Sequence, residues 1–76
     1  MSELTEYLVI FEEGEHSAGA YAPDLPGCVA VAETRDEAKN LIREAIELHI
    51  ESLREYGEPV PQPHSSVELI AVSRAG

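Results

Sequence analysis

The first apolar run of the chain carries large side chains on both of its alternating faces. Residues 4–12 are predicted to form a strand, because apolar residues dominate the run without a helical period. One face holds three of these side chains and the opposite face holds two: Tyr7, Val9 and Phe11 against Leu8 and Ile10. A strand that is apolar on both faces is typical of the interior of a sheet. We therefore expect this first strand to be central.

Two shorter segments follow and are predicted as further strands. Residues 17–22 have small side chains apart from Tyr21, and residues 28–32 alternate valine with alanine. The polar, glycine-containing residues 13–16 are typical of a hairpin turn. Successive hairpins place three strands in an antiparallel arrangement.

A proline–glycine pair separates the second and third predicted strands. Residues 25–28 fit a type II turn, because Pro26 presets φ at the first central position and Gly27 provides the positive φ of the second. The next residue, Cys28, is interpreted as a small buried hydrophobic residue at the start of a strand.

One long amphipathic helix is predicted over residues 35–56. Thr34 and Glu37 have the spacing of a capping box, and Gly57 is a helix-stop residue. Apolar or half-apolar residues recur at three- and four-residue spacing and define the face expected to be buried. These residues are Ala38, Leu41, Ile42, Ala45, Ile46, His49, Leu53 and Tyr56.

A proline-rich spacer at residues 58–63 and a predicted fourth strand at residues 67–72 complete the pattern. The order β-β-β-α-β predicts one α+β domain over residues 1–76. Its four-stranded mixed sheet would carry the helix on one face, with the fourth strand parallel to the first and beside it.

One helix covers only one face of such a sheet, so the other face needs a cover. We expect that face to carry Leu8 and Ile10, with Ile70 and Val72 from the fourth strand. A second copy of the chain is the simplest cover. The sequence therefore predicts a homodimer or homotetramer.

The charge of the chain limits its partners. Fifteen acidic residues against five basic ones give a net charge of −10. A nucleic-acid backbone repels such a surface, and the basic residues are interpreted as dispersed along the chain, so no nucleic-acid binding by this chain alone is expected. A basic protein partner is favoured, although the same charge is also explained by solubility alone.

The sequence has a single cysteine, no signal-peptide pattern and no long apolar run. These features favour a cytoplasmic protein with no membrane association.

Catalytic chemistry has little support. The first predicted strand offers no carboxylate, and Asp24 has no evident acidic companion for binding metal ions. The three histidines, His16, His49 and His64, lack metal-ligand spacing and lie far from Cys28 in sequence. We expect no enzyme activity, metal or cofactor.

Two groups of residues are candidates for contact with a partner. The helix carries the glutamates Glu44, Glu47, Glu51 and Glu55 on its outer side. Like charges four positions apart oppose one another, so this ridge is interpreted either as a surface for a cationic partner or as a solvated face that tolerates the repulsion. The second group is the turn with Tyr21, Asp24 and Leu25. Asp24 is expected to bond nearby backbone amides and shape the turn, or else to contact the partner.

Three motifs together resemble the HicB-type antitoxin family. They are Tyr21-x-Pro23-Asp24-Leu25-Pro26-Gly27-Cys28, then Thr34-x-x-Glu37-Ala38, then Ile42-x-Glu44-Ala45-Ile46. The resemblance implies a partial RNase H-like fold. It also implies binding to a small basic HicA-type toxin that cleaves mRNA, and occlusion of that toxin's active site. The operator-binding segment of many relatives has no counterpart here, so autoregulation is not expected of this chain. The alternative is a stand-alone homo-oligomeric domain whose apolar sheet face serves self-assembly or binds a small ligand.

Overall fold

The computed structural model describes residues 4–74 and has an α+β architecture. Its elements, in chain order, are β1 (Ile10–Glu13), β2 (Ala18–Tyr21), β3 (Val29–Ala32) and α1 (Arg35–Glu55). The strands form an antiparallel sheet in the order β1-β2-β3 within the described residues. The helix packs on one face of the sheet, mainly over β2 and β3.

The strand register separates the side chains into two faces. One cross-strand row points towards the helix and consists of Phe11, Ala20 and Ala30. The adjacent row points away from it and consists of Ile10, Tyr21 and Val29. The predicted assignment of Phe11 and Ile10 to opposite faces of the first strand is confirmed.

Small side chains let the helix approach the sheet closely. The buried residues are Ala18, Ala20, Ala22, Leu25, Cys28, Ala38 and Ile42. Four of these seven are alanines, so few large side chains separate the helix from β2 and β3. Leu25 fills the end of this core and is fully buried.

The connection from β2 to β3 contains the predicted type II turn. The Cys28 amide donates to the Leu25 carbonyl at 3.1 Å, and Gly27 has φ +90°. A preceding turn is closed by the Leu25 amide and the Ala22 carbonyl at 3.1 Å. The two turns together bring Leu25 back over the core.

Both ends of α1 are capped as the sequence predicts. The Thr34 hydroxyl accepts a hydrogen bond from the Glu37 amide at 3.2 Å. At the other end Gly57 has φ +70°. The Glu58 amide donates to the Leu53 carbonyl and the Gly57 amide to the Arg54 carbonyl, which is the Schellman pattern.

The first strand lies at an edge of the sheet rather than in its centre. Within residues 4–74, β1 pairs with β2 alone, and the paired stretch is shorter than the predicted 4–12. The alternating pattern indicates that both faces of a strand are apolar, but it does not indicate which element covers them. The prediction of a central first strand was wrong for the single chain.

The fourth strand is likewise absent from the sheet of this chain. Residues 67–72 have no strand assignment and leave their apolar side chains exposed. Strand pairing joins segments that are distant in sequence. The local pattern indicates that a segment favours a strand, but it does not indicate which strand lies beside it.

Candidate partner-binding surfaces

The carboxylate of Asp24 ties the β2–β3 turn to the chain that follows the helix. Its Oδ2 accepts hydrogen bonds from the amides of His64 at 2.9 Å and Ser65 at 3.0 Å. Its Oδ1 accepts the Ser65 hydroxyl at 2.5 Å and lies 3.1 Å from Nε2 of His64. Asp24 is only 3% exposed. The turn motif predicts hydrogen bonds to amides near Asp24 in sequence, whereas the amides observed belong to residues 40 and 41 positions later.

These hydrogen bonds favour the ionised carboxylate. The pKa of Asp24 is lowered from 3.8 to about 2, first by the Ser65 hydroxyl and then by the Ser65 amide. Burial acts in the opposite direction, and the His64 amide and ring add to the lowering. Asp24 therefore acts as a charged structural anchor at neutral pH.

A second contact fixes the same returning chain. The Tyr7 hydroxyl donates to the Pro61 carbonyl at 2.6 Å. Together with Asp24 it holds the proline-rich spacer against the chain preceding β1 and the β2–β3 turn. The position from which the C-terminal segment departs is thus well determined.

The other two turn residues proposed for partner contact have different surroundings. Leu25 is fully buried, whereas Tyr21 is 36% exposed beside Ile10 on the sheet face opposite the helix. The side chains of Asp24 and Leu25 are enclosed by the chain itself. Any part that they play in partner binding acts through the shape of the turn, and Tyr21 is the residue of the three that a partner can touch.

The glutamate ridge is accessible along its whole length. Glu44, Glu47, Glu51 and Glu55 all lie on α1 and all are exposed. Arg54 lies in the last turn of the helix, where its positive charge is favourable to the dipole. The ridge is therefore a continuous acidic stripe on a rigid element.

An open apolar groove lies between β1 and the helix. It has a volume of about 440 Å³. Its apolar lining comes from the chain leading into β1 and from one flank of α1: Leu4, Tyr7, Val9, Phe11, Ile42, Ile46 and Ile50. The helix packs mainly over β2 and β3, which leaves this side uncovered.

The rim of this groove gathers positive charge that the sequence analysis missed. Lys39, Arg43 and Arg54 line it, with Glu47 as the acidic member. These are three of the five basic residues in the chain. The missed signal was their helical spacing, which places the three within about 60° of one another around the helix at 100° per residue. The basic residues are thus clustered here and not dispersed.

The residues expected at an oligomer interface lie in two separate places. Leu8 and Ile10 are half-buried at the beginning of β1, while Ile70 and Val72 lie in the exposed C-terminal segment. Within one chain the segment forms no strand beside them. A continuous face made from all four residues needs a further pairing step.

The thiol of Cys28 is enclosed by the chain. Cys28 is 4% exposed, and burial raises the pKa of its thiol, which keeps it in the neutral and less nucleophilic form. Across residues 4–74 there is no group of three or more histidine, cysteine, aspartate or glutamate side chains placed to hold a metal ion. The described helix is not long and apolar enough to cross a membrane.

Comparison with known proteins gives a family. The sequence model of the HicB-like antitoxins of bacterial toxin–antitoxin systems matches residues 7–74. This match includes the turn, the capped helix and the C-terminal segment. The chain belongs to the HicB-like antitoxin family.

Two relatives of this HicB-like chain are UPF0150 proteins. One, from Synechocystis sp., is 37% identical over 71 residues and covers 92% of this chain and 90% of its own length. Another, from Thermoplasma acidophilum, is 38% identical over 63 residues and covers 79% of this chain and 88% of its own length. No solved structure matches the HicB-like chain.

Proposed function

We propose that this chain is an antitoxin domain that binds and neutralises a small basic toxin. The toxin would be a HicA-type RNase that cleaves mRNA, and inhibition would occlude its active site by steric and electrostatic contact. Membership of the HicB-like antitoxin family supports the class of function. The proposed action is non-enzymatic, takes place in the cytoplasm and uses no cofactor.

The exposed acidic ridge of α1 is the observation that carries the proposal. The four exposed glutamates of this ridge, among them Glu47, Glu51 and Glu55 at four-residue spacing, project from a rigid helix in a chain with a net charge of −10. Like charges at four-residue spacing reduce helix stability, so a surface of this kind has a cost unless it meets positive charge. A basic RNase surface provides that charge. Complementary fields also accelerate encounter and reject acidic competitors.

In this proposal the negative charge of the ridge strengthens binding to the toxin, so reversing that charge tests the proposal. In the variant with Glu44→Lys and Glu51→Lys, both changes lie outside the groove lining. Exposed ion pairs contribute about 0.2–1 kcal/mol each. Removing two such pairs and adding repulsion should weaken binding to a basic HicA-type toxin roughly tenfold or more. The loss should shrink as salt is raised, because surface charges are screened.

A matched variant with Glu6→Lys and Glu15→Lys makes the same change in net charge away from the helix. Affinity is measured by calorimetry, and neutralisation by the fraction of RNA left intact at a one-to-one ratio. Equal losses of affinity in both variants would show that the net charge of the chain matters and the position of the glutamates does not. Unchanged affinity in the helix variant would remove the ridge from the toxin interface.

A second candidate function rests on the sheet face opposite the helix. Val29 and Val31 are 64% and 72% exposed there, next to Tyr21. Such a face suits a stand-alone homodimer or homotetramer that has no toxin, or a small apolar ligand. Failure of any basic chain to co-purify from the native host, with retained self-association, favours this candidate over the antitoxin.

A further inference from the structure

The C-terminal segment, residues 66–74, extends away from the body of the chain. Leu69 is 97% exposed, and Val67, Ile70 and Val72 are each more than two-thirds exposed. The molecule is 54 Å long but only 28 and 24 Å across. The 21-residue helix is itself only about 32 Å long at 1.5 Å per residue. A run of apolar side chains is therefore held in solvent.

The same segment has the composition of a strand with two apolar faces. Val67, Leu69 and Ala71 alternate with Glu68, Ile70 and Val72. Six residues are an ordinary strand length. A strand of this kind is stable only when an edge supplies its backbone partners and a surface covers its side chains.

The groove beside β1 has both properties. The edge of β1 opposite β2 has no strand neighbour among the described residues, so its amides and carbonyls are open to a further strand. The groove lining next to that edge is apolar, with Val9, Phe11 and Ile46 among its members. A strand added there would bury alternate side chains between β1 and the helix.

The chain preceding the segment directs it outward. Asp24 holds the amide and hydroxyl of Ser65, and Tyr7 holds Pro61. Three prolines keep residues 58–63 extended, and residues 58–74 contain no glycine or asparagine to reverse the chain. The segment thus lies outside the groove of its own chain and is accessible to another molecule.

We propose that the C-terminal segment of one copy fills the groove of a second copy, as the fourth strand beside β1. Because each copy has one segment and one groove, the exchange closes reciprocally in a two-fold dimer. It also brings Ile70 and Val72 of one copy beside Leu8 and Ile10 of the other. This inference does not depend on the existence of a toxin.

Two full-length variants test the exchange. Leu69→Lys places a positive charge in the segment, where it would face the basic rim of the groove. The Leu69 side chain is 97% exposed in the single chain, so the change should leave the monomer folded. Ile50→Arg blocks the groove at a half-buried position outside the core cluster. In light scattering over a dilution series, the natural chain should have the mass of two or more copies. Each variant alone should have the mass of one.

Mixing the two variants distinguishes exchange from closure within one chain. The Ile50→Arg copy has an intact segment and the Leu69→Lys copy an intact groove, so an equimolar mixture should recover a dimer. Leu48→Lys, at an exposed apolar position of the helix outside the groove, is the matched control and should keep the natural mass. Circular dichroism checks that every variant retains the helix.

Three results overturn the proposal. They are a natural chain that is monomeric at all concentrations, a Leu69→Lys variant with the natural mass, and a mixture that stays monomeric although both variants are folded. The last two would assign the segment to its own groove or to no groove. A toxin can still bind in any of these cases, so failure here is separate from failure of the antitoxin role.

Discussion

The hydroxyl of Ser65 donates a hydrogen bond of 2.5 Å to Oδ1 of Asp24, and the Ser65 amide donates one of 3.0 Å to Oδ2. The two residues are 41 positions apart in the chain. Their contact joins the turn between β2 and β3 to the chain beyond the helix. Asp24 therefore determines where the C-terminal segment begins, and a residue of a turn motif acts as a tertiary clamp.

Replacing this carboxylate should loosen the returning chain. In Asp24→Asn, one of the two oxygens becomes an NH₂ group that cannot accept from Ser65 or His64. We expect a lower urea midpoint and faster hydrogen exchange at the Ser65 amide, measured by denaturation and by NMR. Glu33→Gln, an exposed carboxylate on the loop before the helix, is the matched control and should leave both unchanged. An unchanged exchange rate at Ser65 in Asp24→Asn would contradict the clamp.

The same carboxylate predicts a pH dependence of stability. Its pKa is lowered in the folded chain from 3.8 to about 2. A carboxylate with a depressed folded pKa contributes stability that is fully present above the unfolded pKa and is lost as the pH falls towards the folded pKa. The stability gap between the natural chain and Asp24→Asn should therefore be fully present at about pH 5, and should close between about pH 4 and pH 2. Denaturation at a series of pH values measures the gap. A gap that persisted at pH 2, or an NMR titration of Asp24 near pH 4, would contradict the assignment.

The cap at the start of the helix predicts a separate effect on the free energy of unfolding. Thr34→Ala removes the oxygen that accepts the Glu37 amide. Loss of such a cap costs about 0.5–2 kcal/mol of the free energy of unfolding. Thr34→Ser keeps the oxygen and should retain most of that stability. Thermal unfolding followed by circular dichroism compares the two, and equal losses in both would show that the hydroxyl is not the stabilising group.

Features set by neighbouring residues could be predicted from sequence with good accuracy. The turn at Pro26 and Gly27 and the caps at Thr34 and Gly57 were correct, because each depends on φ preferences and hydrogen bonds within a few residues. The face assignment of Phe11 and Ile10 was also correct, because strand side chains alternate. The family followed from the same motifs.

Features that join distant segments could not be predicted in the same way. The sequence indicated that Asp24 shapes its turn, but the partners of its carboxylate come from His64 and Ser65. The cluster of Lys39, Arg43 and Arg54 at one groove became visible only when the helix was set beside β1. Neither feature depends on the local backbone preferences of the residues involved, so the local sequence pattern does not reveal it.

By itself the sequence determined the elements, their ends, the acidic helix surface and the membership of the HicB-like family. Only the tertiary structure decided that β1 lies at an edge, that a groove opens beside it and that residues 67–72 lie outside the sheet. The physical reason is that helices, caps and turns are stabilised by contacts between near neighbours. Strand pairing and burial depend instead on which distant surface is available, in the same chain or in another.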